Sequence, residues 1–193
     1  MFATTPNDAR WATFTICIQV LLVLALAAFN PEPTRAQGPD GAALRAAIIG
    51  SPLLVGATPN PEALAGKALL VTFYASWCPP CTAEFRALNE VRAAIGADRL
   101  VIVAVNVHEN LIADSTGRME RFLARTAPRF TVLGENPRAV AAVGGVPRIP
   151  SVYLFTADDR MAFDFVHAQG AEKMNTNAEE ILAALAAVGL LPD

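Results

Sequence analysis

The run "ALLVTFYA", residues 68–75, leads without a break into "SWCPPCTAEF", residues 76–85. A half-exposed strand would alternate polar and apolar side chains. This one is apolar, β-branched or aromatic almost throughout, so it reads as a strand buried on both faces. A strand of that kind needs a layer of structure on each side. Its end is marked by two cysteines with two prolines between them, and a helical stretch follows to about Ile95, where Gly96 stops it.

The rest of the chain fits round that strand. "RLVIVAVNV", 99–107, reads as a second buried strand, and "TGRMERFLART", 116–126, as a helix. A short strand near 130–133 and a helix near 137–143 come next. "SVYLF", 151–155, and "MAFDFVH", 161–167, joined through Asp158 and Asp159, read as an antiparallel hairpin. Asn177 caps a final amphipathic helix. A βαβ unit followed by ββα gives an α/β fold with a mixed central sheet flanked by helices, and with a helix-containing insertion in its middle.

Upstream, Trp11 to Phe29 carries no charge, and the polar, proline-bearing "NPEPTRA" follows. This layout is that of an export signal, and a segment of that length also just spans a bilayer, so cleaved signal and retained anchor both stay open. Residues 1–36 are therefore assigned to an export signal or N-terminal membrane anchor. Residues 37–50 are assigned to a linker with a short helix in "AALRAAII", and 51–193 to the folded domain. Cys17 lies in the apolar segment and reads as filler. Export would put the other two cysteines where disulfides persist.

Composition closes off some classes. The 13 Arg and 2 Lys are scattered in a chain of net charge −3, which gives no basic stripe for nucleic acid. A structural zinc needs four ligands, yet there is one cysteine pair, and His108 and His167 are each solitary. As a staple, a disulfide between residues three apart restricts the unfolded chain little. A redox couple explains more. Cys78 falls at a helix N-terminus, where free N–H groups and the dipole favour a thiolate, and Cys81 lies one turn on. Pro79 and Pro80 are tolerated there because first-turn N–H groups have no helical partner.

The stretch "LAGKALLVTFYASWCPPCTAEF", the long segment between Val107 and Gly145, and "GVPRIPSVYLF" resemble the thioredoxin superfamily, and within it the exported TlpA/ResA-type thiol-disulfide oxidoreductases. The resemblance covers most of residues 64–189. It implies a thioredoxin fold in which Pro150 is a cis-proline facing the cysteines, with Pro147 as the rival position. Trp77, Pro79, Pro80, Ile149 and Pro150 then form the substrate-contact surface, and the backbone of Ile149 pairs with an extended substrate segment. Two positions depart from thioredoxin. Thr72 stands where thioredoxin has a buried aspartate, and Arg86 where it has a helix-kinking proline. Many TlpA-type proteins share the first departure.

The function expected is an exported, periplasmic or otherwise extracytoplasmic, protein-disulfide reductase. Cys78 is its nucleophile and Cys81 its resolving thiol. It needs no dissociable cofactor and no metal. By family analogy its substrates are apo-cytochrome c or copper-site assembly proteins, and a membrane thiol transporter donates its electrons. The alternatives are an oxidant of the same fold that inserts disulfides, and a copper carrier using the cysteines with a methionine or histidine, although Met119, Met161 and Met174 are spread out and isolated methionines are more often core filler. Glu84, three residues after Cys81, shares its helix face. It reads either as the acceptor of the Cys81 proton or as an acid that simply favours the early turns of the helix.

Overall fold

The computed structural model describes residues 38–113 and 115–191, with the side chains of residues 115 and 116 outside that set. The expected export segment, residues 1–36, and Cys17 lie outside the described residues. The elements run α1 (Gly41–Ile48), β1 (Leu53–Val55), α2 (Pro61–Leu64), β2 (Ala68–Tyr74), α3 (Pro79–Ala94), β3 (Leu100–Asn106), a 3-10 turn (Glu109–Leu111), α4 (Ser115–Thr126), β4 (Thr131–Leu133), α5 (Pro137–Ala142), β5 (Ser151–Phe155), β6 (Met161–Val166) and α6 (Ala178–Ala187).

The strands form one sheet in the order β1-β4-β3-β2-β5-β6. β2 and β3 pair in parallel over seven residues, β3 and β4 also run parallel, and β5 is antiparallel to both β2 and β6. Every residue of β2 is buried. Its period of two sends Leu70 and Tyr74 into one apolar cluster and Leu69, Val71 and Phe73 into the other. The first cluster contains Phe85, Leu88 and Val91 of α3, Phe122 of α4, and Ile181 and Leu185 of α6. Tyr74, Phe85 and Phe122 pack ring against ring at 4.7–5.3 Å between centroids.

The second cluster corrects the domain boundary expected at residue 51. Leu44 and Ile48 of α1 are fully buried among Val71, Phe73 and Phe155, so this helix belongs to the core and not to a linker. Its first residue shows why the fit is close. A Cβ on Gly41 would stand 2.7 Å from both the Asp159 carbonyl oxygen and a ring carbon of Phe155. Arg45 fastens the same helix to two other segments. It donates to Asp159 Oδ1 at 2.5 Å and to the carbonyls of Leu64, Lys67 and Thr156 at 2.8–3.1 Å. Most of the segment expected as a linker, 37–50, is thus this helix, which begins at Gly41 behind an Asp40 cap. The single-turn α2, capped by Asn60, and the 3-10 turn were not expected from the sequence.

Candidate active site

The buried strand β2 delivers the chain to the sheet's end, where Cys78 caps α3. Pro79 and Pro80 open the helix, and their missing N–H groups cost nothing at those positions. Cys78 and Cys81 are joined in a disulfide with Cα atoms 5.3 Å apart. The Cys81 N–H donates to Cys78 Sγ at 3.2 Å, which makes it a helix-end donor aimed at that sulfur. Cys78 is 3% exposed and Cys81 fully buried, so the sulfur nearer solvent is the first.

The Ile149–Pro150 peptide bond is cis, and Pro147 does not share that geometry. The Ile149 carbonyl oxygen lies 3.8 Å from Cys78 Sγ and 3.4 Å from His167 Nε2. The segment therefore faces the disulfide. Trp77 is half-buried, and its indole N–H donates to the His108 carbonyl at 3.0 Å. His108 itself is exposed, in the left-handed region at φ 58°.

Glu84 is completely buried. Thr72 Oγ1 donates to its Oε1, and Thr176 Oγ1 to its Oε2 at 3.4 Å. The residue standing where an acid was missing on β2 thus holds an acid that comes from α3. Burial pushes the Glu84 carboxyl up to about 7, and the hydrogen bonds from Thr72 and Thr176 pull the other way. A merely helix-favouring surface acid would sit in solvent.

A second buried carboxylate went unnoticed in the sequence. Glu109 accepts from the Ser76 N–H at 3.0 Å, from the Ser76 hydroxyl, and from Asn106 Nδ2 at 2.8 Å. It fixes the turn just before Trp77 and Cys78. Burial raises the Tyr74 hydroxyl above its ordinary range, and the nearby Glu109 charge adds to this. The available signal was an acid a few residues beyond a buried strand, too common a pattern to single out.

Beside the disulfide runs a groove of about 400 Å³, lined by Trp77, Cys78 and Pro79 and by Thr82, Arg86 and Arg125. Met119 is half-buried and accepts from the Tyr74 hydroxyl at 3.5 Å, while Met161 and Met174 are exposed. Among the described residues no group of three or more His, Cys, Asp or Glu could hold a metal ion. Nor is any described helix long and apolar enough to cross a membrane.

Residues 51–182 match the Redoxin family. The chain belongs to that family. It is 37% identical over 102 residues to the thiol:disulfide interchange protein CycY of Rhizobium leguminosarum bv. viciae, covering 52% of this chain and 50% of that protein. It is 23% identical over 118 residues to the thiol-disulfide oxidoreductase ResA of Bacillus thuringiensis, covering 61% and 65%. The chain thus spans between half and two thirds of the length of these relatives. Its structure is similar to that of a secreted Mycobacterium tuberculosis disulfide oxidoreductase homologous to E. coli DsbE, with a TM-score of 0.57, 25% identity, and 76% and 98% of the two chains covered. The fold is the thioredoxin fold, and the relatives are of the TlpA/ResA type.

Proposed function

We propose that this chain is an exported thiol-disulfide oxidoreductase that reduces disulfides of extracytoplasmic proteins through the Cys78–Cys81 couple. Apo-cytochrome c and copper-site assembly proteins are the substrate classes, and a membrane thiol transporter is the electron donor. Residues 38–193 form the redox unit, preceded by an export signal or anchor over 1–36.

One observation carries this reading: the Cys78–Cys81 disulfide caps a helix, with the outer sulfur beside a groove and the inner one sealed off. In the reduced protein the Cys78 thiolate attacks a substrate disulfide and forms a mixed disulfide, displacing one substrate thiolate. Cys81 then attacks Sγ of Cys78, releases the second thiolate and re-forms the internal disulfide. Trp77, Pro79, Pro80, Ile149 and Pro150 form the contact surface. Cys81 must lose a proton in a shielded place, where burial raises a thiol's pKa. Glu84 lies on the same helix face with its carboxyl pushed up to about 7 by burial, which suits it to accept that proton directly or through one water.

The test is trapping. Cys81→Ser should accumulate stable mixed disulfides through Cys78 in cells, and their partners identify the substrates. Cys78→Ser should neither reduce nor trap. Accumulation in the Cys78 variant instead would reverse the two roles.

A further inference from the structure

The groove at Cys78 is bordered by two arginines, Arg86 on α3 and Arg125 on α4, in a chain whose net charge is −3. Both side chains are exposed. Among the described residues neither guanidinium has a carboxylate partner, and no Asp or Glu lines the groove. Arg125 lies 5.8 Å over the Phe122 ring, which steadies the side chain and leaves its N–H groups unused. On α4, Arg118, Arg121 and Arg125 follow at spacings of three and four and so share one helix face. Arginine presents a planar fork of donors that matches a carboxylate, and two such forks beside a nucleophile can read charge on whatever chain brings a sulfur to it.

We propose that this groove selects protein substrates carrying Asp or Glu within a few residues of the reducible cysteine, with Arg86 and Arg125 receiving the carboxylates. The proposal rests on the reading that Cys78 attacks a substrate disulfide, and it names the substrate class for that site. An extended segment advances about 3.3 Å per residue, so side chains one to three positions from the substrate sulfur fall within the groove. The arginines take no part in electron transfer. Two electrons pass from the protein dithiol to the substrate disulfide: one S–S bond breaks in the substrate and one forms between Cys78 and Cys81. The assigned role also gives Arg86 a function on a helix where a thioredoxin would have a proline.

The experiment uses pre-reduced protein, freed of reductant, in single turnover against three disulfide peptides. They are identical except for two residues beside one cysteine, which are Asp-Glu, Ser-Gln or Lys-Arg. At low ionic strength the acidic peptide should be reduced about three- to tenfold faster than the neutral one, and the basic peptide more slowly than either. The preference should shrink as salt is raised, because the groove is open to solvent. The double variant Arg86→Gln, Arg125→Gln should reduce all three at one rate. The pair Arg86→Lys, Arg125→Lys keeps charge without the fork and should retain part of the preference. Equal rates on the three peptides with the wild-type protein would overturn the proposal. So would a double variant that slows all three alike with their ratio intact, since the arginines would then act on the Cys78 thiolate and not on the substrate. Failure to reduce any peptide would instead overturn the oxidoreductase reading, and this one with it.

Discussion

At the scale of single residues, Glu84 shows what spacing can and cannot tell. Its place three residues after Cys81 puts the two on one helix face, and this much was legible. Its complete burial was not, because the groups that hold it, Thr72 and Thr176, come from a strand and a loop far away in sequence. Glu109 was invisible for the same reason: its partner Ser76 is 33 residues distant. The sign of the Glu84 effect follows from its pKa. A carboxyl at about 7 when folded, against the usual 4.5, binds its proton more tightly in the folded state. Its neutral form therefore costs nothing below about pH 4.5, and stability is lost as pH rises from there to about 7. Relative to Glu84→Gln, the wild-type protein should lose on the order of 3 kcal/mol across that window, as read from urea unfolding at pH 4.5, 6 and 7.5. A difference that stays flat with pH would mean Glu84 is ionised throughout. In catalysis the same variant should slow release of reduced substrate near neutrality, with the deficit shrinking at higher pH as Cys81 ionises unaided.

At the scale of elements, strands were legible where both faces are buried, since β2 and β3 are continuous apolar runs. The insertion helix and the hairpin were marked equally well, by a helical period and by a turn. α1 was found but misassigned. "GAALRAAI" has the same amphipathic pattern whether it covers a distant sheet or lies in a linker, and nothing local says which. The decision belongs to tertiary contacts: the close approach of Gly41 to Asp159 and Phe155, and the four hydrogen bonds of Arg45. If α1 is core, Leu44→Ala should cost about 2–5 kcal/mol, as deletions of fully buried leucine side chains do. A chain starting at residue 51 should expose the face of Val71 and Phe155 and aggregate, whereas one starting at residue 38 should not. A Leu44→Ala cost below about 1 kcal/mol would return the helix to the linker.

At the scale of the whole molecule, the fold and the electron potential belong to one thermodynamic cycle. Oxidised and reduced chains each have a folding stability, and their difference sets how far the folded couple departs from the same dithiol in an unfolded chain. A fold that strongly stabilises the Cys78 thiolate makes the reduced form the more stable, and the protein an oxidant. Here the helix end offers that sulfur the Cys81 N–H, while Pro79 and Pro80 have none to give and no charged residue lies between the cysteines. Glu84 adds negative charge on the Cys81 face above about pH 7, which disfavours a thiolate there. Arg86 and Arg125 favour a thiolate, but from an exposed groove where salt screens them. On that balance the couple is predicted to lie on the reducing side, at roughly −200 to −270 mV. The oxidised protein should then resist urea at pH 7 at least as well as the reduced one. The gap between the two, at about 1.4 kcal/mol for each 30 mV, should agree with a glutathione-equilibrium titration. A reduced form that unfolds at distinctly higher urea, together with a potential of about −120 mV, would make the protein an oxidant. Electrons would then flow from substrate thiols to the Cys78–Cys81 disulfide, with Cys78 still the sulfur that meets the substrate.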